Sequence, residues 1–208
     1  MIQATESEGF ARRSRGFLRW TQVLLFITGA LAMGYVALIL LDARDSQQAA
    51  NSVLDQQMAA EDASHEDQNP AATIRAPAKE GDVLGRIEIP RLGLMVAILE
   101  GTTSRTLRRG VGHIGGTALP GDAGNIGVAG HRDTYFRGLK DIHPSDDILV
   151  QTATGLSHYQ VDWVRIVAPE DTGALAPSDD SALTLVTCYP FYYVGPAPKR
   201  FIVHARKV

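Results

Sequence analysis

The chain has 208 residues, 45% of them hydrophobic and 21% charged, with a formal charge of −3. That length suits one domain with appendages. The composition excludes a disordered tail and a polytopic membrane protein, and the charge offers no whole-chain attraction for nucleic acid. A single cysteine, Cys188, excludes an intramolecular disulfide framework and a multi-cysteine zinc site.

Residues 1–19 form a short basic N-terminus carrying Arg12, Arg13, Arg15 and Arg19. Residues 20–41, WTQVLLFITGALAMGYVALILL, contain no charge. As a helix this stretch would reach about 33 Å, enough to cross a hydrocarbon core of about 30 Å. The arginines precede it, and Asp42, Arg44 and Asp45 follow. The positive-inside bias therefore puts the N-terminus in the cytoplasm and everything after Leu41 outside the membrane. A cleaved signal peptide would have a shorter apolar region and a small-x-small site beside Leu41. Neither is present, so the stretch reads as an uncleaved signal anchor.

Residues 42–80 hold three basic and eight acidic side chains, few apolar residues, and Pro70 and Pro77 near the end. This is the composition of a solvated, flexible acidic stalk, helical at most in its first half.

Residues 81–208 are balanced, with 13 basic and 13 acidic residues, and are numerous enough to bury a core. Short β-like runs follow one another: 83–89, 94–99, 125–130, 148–152, 159–167, 183–188 and 200–205. Pro90 stops the first. The fifth alternates Tyr159, Val161 and Trp163 against Gln160 and Asp162. Helical signals are brief, one from a Ser104 cap to Gly110 and one over 135–140. Many short strands joined by Gly/Pro turns predict an antiparallel barrel or sandwich.

Cys188 ends the apolar run SALTLVT, just before Tyr189-Pro190. Proline cannot extend a central strand, so the thiol is expected at a strand mouth. A lone thiol outside the membrane is either an inert core residue or a reactive one. A nucleophilic thiol needs a base or an electrostatic partner. Among six histidines, His131 stands out because a Gly-rich strand, NIGVAG, breaks into polar residues there. His113 lies in a flexible-looking stretch, GVGHIGG, and is the second choice. His65 falls in the stalk, His143 and His158 flank a strand as surface or turn residues, and His204 reads as structural. Acyl transfer also needs donors where an oxyanion develops. Arg200, opening the last strand, and Arg132, beside His131, are the candidates. Asp133 and Asn125 are candidates for an orienting group, though no spacing demands one.

At this point the residues meet a family. Thr184-Leu185-Val186-Thr187-Cys188 resembles the TLxTC signature of sortases, the cysteine transpeptidases of bacterial surfaces. GNIGVAGHRDT supplies a histidine before the cysteine, GPAPKRFIV an arginine after it, and one apolar anchor precedes the domain. GHIGGTALPG, AGHRDTYFRGL and LTLVTCYPFYYVGPAPKRFIV look most like class D sortases. The resemblance spans residues 81–208. One departure is Ser145-Asp146, where the family often shows Gly-Asp in a turn.

The resemblance implies an all-β fold, a closed eight-stranded sortase-type barrel with short helices, here preceded by one transmembrane helix. It implies Cys188 as nucleophile, His131 as general acid and base, and Arg200 as the group that holds the peptide and the oxyanion. It also suggests that Thr187 positions substrate through its hydroxyl and that His113 lines the pocket. The partners implied are secreted proteins bearing a C-terminal LPxTG-like sorting signal, and an amine from a cell-wall precursor or a pilin lysine. The lipid bilayer is a partner through residues 20–41, and nucleic acid is not. No cofactor or metal is expected, and Asp146-Asp147 and Asp179-Asp180 read as solvated turn charges. The competing readings are a membrane-anchored protease that only hydrolyses and a non-catalytic surface β-domain with an inert Cys188.

Overall fold

Eight strands close on themselves: β1 (Val83–Ile89), β2 (Leu94–Glu100), β3 (Val111–His113), β4 (Asn125–Gly130), β5 (Asp147–Thr152), β6 (Gly155–Val167), β7 (Ala182–Tyr189) and β8 (Lys199–Lys207). The structure is a computed structural model and describes residues 19–20, 22–36, 48, 52–53, 55–56, 77–193 and 195–208. Around the barrel the order is β1-β2-β3-β4-β7-β8-β6-β5, with β5 returning to β1. A short helix, α1 (Ser104–Arg109), links β2 to β3. Three 3₁₀ segments cover Pro90–Leu92, Tyr135–Asp141 and Gly173–Leu175.

The seven strand runs expected from the sequence are all present, with ends shifted by a few residues. Three expectations are corrected. The barrel is mixed, not antiparallel, because β2 pairs β3 and β4 pairs β7 in parallel. Both pairs need crossovers, supplied by α1 and by the β5–β6 hairpin, which strand-by-strand patterning does not reveal. A further strand, β3, occupies the GVGHIGG stretch read as flexible, and its three residues are all buried. The cap of α1 is Thr103, whose hydroxyl accepts from the Thr106 N–H at 3.3 Å, and not Ser104.

Strand ends follow local chemistry. Pro90 terminates β1, and Gly93 adopts φ 60° to return the chain into β2. Just before β1, the Glu80 carboxylate accepts from the hydroxyls of Thr106 and Thr103 at the start of α1. Those bonds, that from Thr106 foremost, hold the carboxyl below its ordinary range.

Inward-facing residues of every strand meet in one core, including Ile87, Ile98, Val111, Val128, Val150, Tyr159, Leu185 and Val203. The glycines of β4 let other segments lie against it. A Cβ at Gly127 would come within 2.9 Å of Leu175 and Thr117, and one at Gly130 within 2.5 Å of the Phe136 ring.

The turn before β5 carries a fourth correction. Asp146 is not a solvated charge; it is 8% exposed and receives Arg91 Nε and Nη2 together with the His143 backbone N–H at 2.8 Å. The Arg91 bonds keep its carboxyl below the usual value. Its neighbour Ser145 has φ 74°, the only positive φ outside glycine among the described residues. Asp147 is exposed and meets His158 Nε2 at 2.9 Å.

The chain divides into two units, Met1–Asp45 and Ser46–Val208. In the first, residues 19–20 and 22–36 are helical and expose every side chain described, among them Trp20, Leu25, Phe26, Leu31 and Met33. Among the described residues no helix is long and apolar enough to cross a membrane. The expected span 20–41 includes residues 21 and 37–41, which lie outside the described residues. So do residues 1–18 and most of the expected stalk.

Candidate active site

Three neighbouring strands bring the expected catalytic residues to one level. β4 and β7 run in parallel with Gly130 opposite Thr187 as their last pair, so the next residues along are His131 and Cys188. β7 and β8 run antiparallel with Cys188 opposite Arg200. The order across the sheet is therefore His131, Cys188, Arg200. Directly opposed residues of an antiparallel pair share a face, with Cβ atoms about 4.5–5.5 Å apart.

That face is the outside of the barrel. Leu183, Leu185 and Thr187 alternate into the core, leaving Thr184, Val186 and Cys188 outward. Cys188 is free and half-buried. Among the described residues neither its thiol nor the His131 imidazole is engaged in a hydrogen bond or ion pair. Both are thus available to each other and to a substrate. Arg200 uses Nη1 to donate to its own strand entry, Lys199 O at 3.0 Å and Ala197 O at 3.2 Å. Its Nε and Nη2 make no such bond among the described residues. Val167 of β6 lies opposite Arg200. It borders a recess of about 190 Å³ lined by Trp163, Arg165, Asp171, Gly173 and Ala174. Ala174, which borders the recess, also accepts from Asn125 and Thr184, so the loop after β6 reaches over β4 and β7.

Thr187 does something other than meet substrate. It is 2% exposed, and its hydroxyl donates to Gly130 O at 2.7 Å. The bond ties the residue before Cys188 to the residue before His131. A donor spent in this way inside the barrel sets the spacing of the two strand ends.

His113 is likewise interior. It is 3% exposed, with Nδ1 2.9 Å from Glu100 Oε2 and Nε2 3.0 Å from Ala118 O and 3.1 Å from Thr117 Oγ1. Both ring nitrogens are thus engaged by neighbouring polar groups. With both nitrogens occupied it has none to offer a substrate, and it serves to fasten β3 to the β3–β4 loop.

The other candidates separate. Asn125 begins β4, about 20 Å along the strand from His131 at ~3.3 Å per residue. It does not orient the imidazole. Its Nδ2 donates to Ala174 O and Ala176 O, and its Oδ1 accepts from Thr184 Oγ1 at 2.8 Å, which fixes the β6–β7 loop over β4 and β7. Asp133 is exposed. His204 is stacked on Trp163 at 4.8 Å and bonded to Asp162, a structural position as expected.

From its place beside His131 the sequence offers Arg132 only as an oxyanion donor. In the structure its Nη2 donates to Tyr193 O at 2.7 Å and Gly195 O at 3.0 Å, and its guanidinium lies 5.8 Å from the Tyr193 ring centre. Its Nη1 is buried with no partner, alone in this among the described side chains. Nothing in the sequence pairs Arg132 with a loop some sixty residues away, so only the fold reveals this contact.

The closed barrel thus sets a thiol on β7 opposite a guanidinium on β8, with an imidazole one residue past the end of neighbouring β4. Comparison with known proteins gives the family. The sortase domain model matches residues 87–208, and the chain belongs to the sortase family, a family of cysteine transpeptidases. It is 36% identical over 129 residues to Sortase D of Bacillus subtilis, covering 62% of this chain and 65% of that one. It is 33% identical over 129 residues to Sortase SrtE1 of Streptomyces coelicolor, covering 53% of this chain and 37% of that protein. The chain thus spans just under two thirds of the first relative and well under half of the second. Among solved structures, the Clostridium perfringens Sortase D5 transpeptidase superposes with a TM-score of 0.64 at 25% identity, covering 79% of this chain and 99% of that one.

Proposed function

We propose that this chain is a membrane-anchored cysteine transpeptidase. It cleaves a C-terminal LPxTG-like sorting signal of secreted proteins and passes the acyl group to an amine of a cell-wall precursor or a pilin. The observation that carries the reading is the in-register row His131, Cys188, Arg200 across β4, β7 and β8, in a chain of the sortase family.

The chemistry follows from the row. The Cys188 thiolate attacks the scissile carbonyl, forming the carbon–sulfur bond. His131 gives a proton to the leaving amine as the carbon–nitrogen bond breaks, which leaves a thioester on Cys188. An incoming amine loses its proton to His131, attacks the thioester and releases the thiolate. Arg200, with Nε and Nη2 unengaged, donates to the peptide and to the oxyanion of each tetrahedral intermediate.

The uncharged stretch 20–41 serves as the anchor. Its described helical part exposes apolar side chains on all sides, as a helix meeting lipid does. Anchoring holds the enzyme where secreted substrates emerge still tethered, which raises their effective concentration. The acidic stretch 42–80 is the spacer, and the barrel stands outside the membrane with the N-terminus inside.

The test uses the intact chain in non-ionic detergent, a panel of Leu-Pro-x-Thr-type peptides, and mass spectrometry with and without triglycine as amine. The expected result is a thioacyl adduct on Cys188, absent in Cys188→Ala and transferred to triglycine. His131→Ala and Arg200→Ala should lower turnover by about 10²–10⁴ and 10²–10³ respectively. An adduct released to water alone would leave a protease, and a Cys188 that resists iodoacetamide in the folded chain would refute the catalytic reading.

A further inference from the structure

The loop between β7 and β8 begins two residues after Cys188 and ends just before Arg200. It therefore stands at the edge of the reactive row and carries two exposed tyrosines, Tyr192 and Tyr193. Left to itself, a loop with exposed aromatic side chains and no strand pairing would sample many conformations. Here it is fastened from the segment that follows β4. Arg132 Nη2 bridges Tyr193 O and Gly195 O, and the guanidinium rests against the Tyr193 ring.

Arg132 leaves Nη1 buried and unpaired while making those two bonds. A lysine, a point donor without a planar fork, would avoid that orphan but would not present the same geometry to carbonyls two residues apart. The residue is also the immediate neighbour of His131. One side chain thus joins the strand end that bears the imidazole to the loop that separates the thiol from Arg200.

We propose that Arg132 is a positioning residue for the reaction, clamping the β7–β8 loop against the His131 strand end so that the wall beside Cys188 is preformed before peptide binds. The inference rests on the transpeptidase reading for its kinetic consequence but not for its structural one. Without the clamp the binding-competent loop conformation is only a fraction of the population, and apparent affinity falls by that fraction.

The experiment measures backbone hydrogen exchange and steady-state kinetics on the intact chain in detergent, for the parent, Arg132→Ala and Arg132→Lys. The kinetic substrate is whichever Leu-Pro-x-Thr-type peptide acylates Cys188. In Arg132→Ala, exchange over residues 191–198 should accelerate at least tenfold while strands β1, β2, β5 and β6 exchange as in the parent. KM should rise about tenfold or more with kcat changed by less than threefold. Arg132→Lys, which keeps the charge and loses the fork, should resemble Arg132→Ala. Exchange over 191–198 within twofold of the parent would overturn the proposal. So would a loss confined to kcat, or a lysine variant equal to the parent. If no peptide acylates Cys188 the transpeptidase reading fails by itself, and the exchange comparison still decides whether Arg132 holds the loop.

Discussion

Gly130→Ala adds one methyl group at the point where the barrel meets His131, the proposed general acid and base. The added carbon would lie 2.5, 2.8 and 2.9 Å from three ring carbons of Phe136, whose side chain is fully buried. Carbon–carbon contacts have their optimum near 3.5–4.0 Å. Relief requires one of them to move by about 1 Å in a core packed like a crystal. Gly130 is held from the other side, where its carbonyl accepts from Thr187. The movement therefore falls on Phe136, whose N–H donates to His131 O at 3.1 Å. Overpacking of this kind costs about 1–3 kcal/mol. We expect the upper half of that range, and a shift of the imidazole large enough to cost about 10² in turnover.

Urea unfolding of the intact chain in detergent reads the first quantity, and turnover of an acylating peptide reads the second. At a slope of ~1–3 kcal/mol per molar, the midpoint should fall by about 1–2 M. The second variant, Phe136→Leu, makes the argument testable. Alone it removes ring atoms and destabilises; combined with Gly130→Ala it makes room for the new methyl. The pair should be more stable than additivity predicts by about 1 kcal/mol or more. Strict additivity, or a loss under about 0.5 kcal/mol for Gly130→Ala, would show that the close approach to Phe136 does not hold His131 in place.

Three further outcomes follow from the same geometry. Ser145 occupies the left-handed region at φ 74°, so Ser145→Gly should stabilise the chain by about 0.5–1 kcal/mol, the relieved strain less glycine's entropy, read as a higher urea midpoint. The Asp146 carboxyl sits below its ordinary value chiefly because Arg91 bonds it, so this contribution is complete above the unfolded value near ~4 and is lost as pH falls through the lower folded one. Stability measured from pH 5 downward should therefore fall more steeply in the parent than in Asp146→Asn. Thr187→Val strands the Gly130 carbonyl in the barrel wall, so it should cost about 1–3 kcal/mol and lower turnover, whereas Thr187→Ser should keep most of both.

The strands were legible wherever hydrophobic alternation ran for five residues or more, since half-buried strands write their period into the sequence. β3 escaped because three residues carry no period. The parallel pairings escaped because they depend on crossovers, which no strand's own composition records. Of the candidate site residues, Cys188 and His131 stand out in the sequence because each closes an apolar or Gly-rich run, and their family motifs agree. Thr187 and His113 were misplaced for one shared reason. A polar side chain near a reactive residue reads as functional in one dimension, and only the strand's facing decides whether it points outward or into the core. Asp146 was misread because its partner, Arg91, lies fifty-five residues away. Ser145, by contrast, stood out in the sequence as a departure from Gly-Asp, and the structure supplies its meaning: the backbone there takes the conformation that glycine tolerates best.

The three candidate residues lie at or just past strand ends. A strand fixes the direction of a side chain through its pairing, while a residue just past its end is released from the ladder. Cys188 and Arg200 are the penultimate residue of β7 and the second of β8, and they are paired across the antiparallel ladder. His131 is one step past β4, beyond the last parallel pair. Its position is therefore set indirectly, by the Gly130 carbonyl bonded to Thr187 and by the Phe136 N–H on its own carbonyl. Of the three residues, the histidine depends most on its neighbours. Substitutions that touch no reacting atom should accordingly damage turnover more at positions around His131 than at positions around Cys188 that leave the β7–β8 ladder intact.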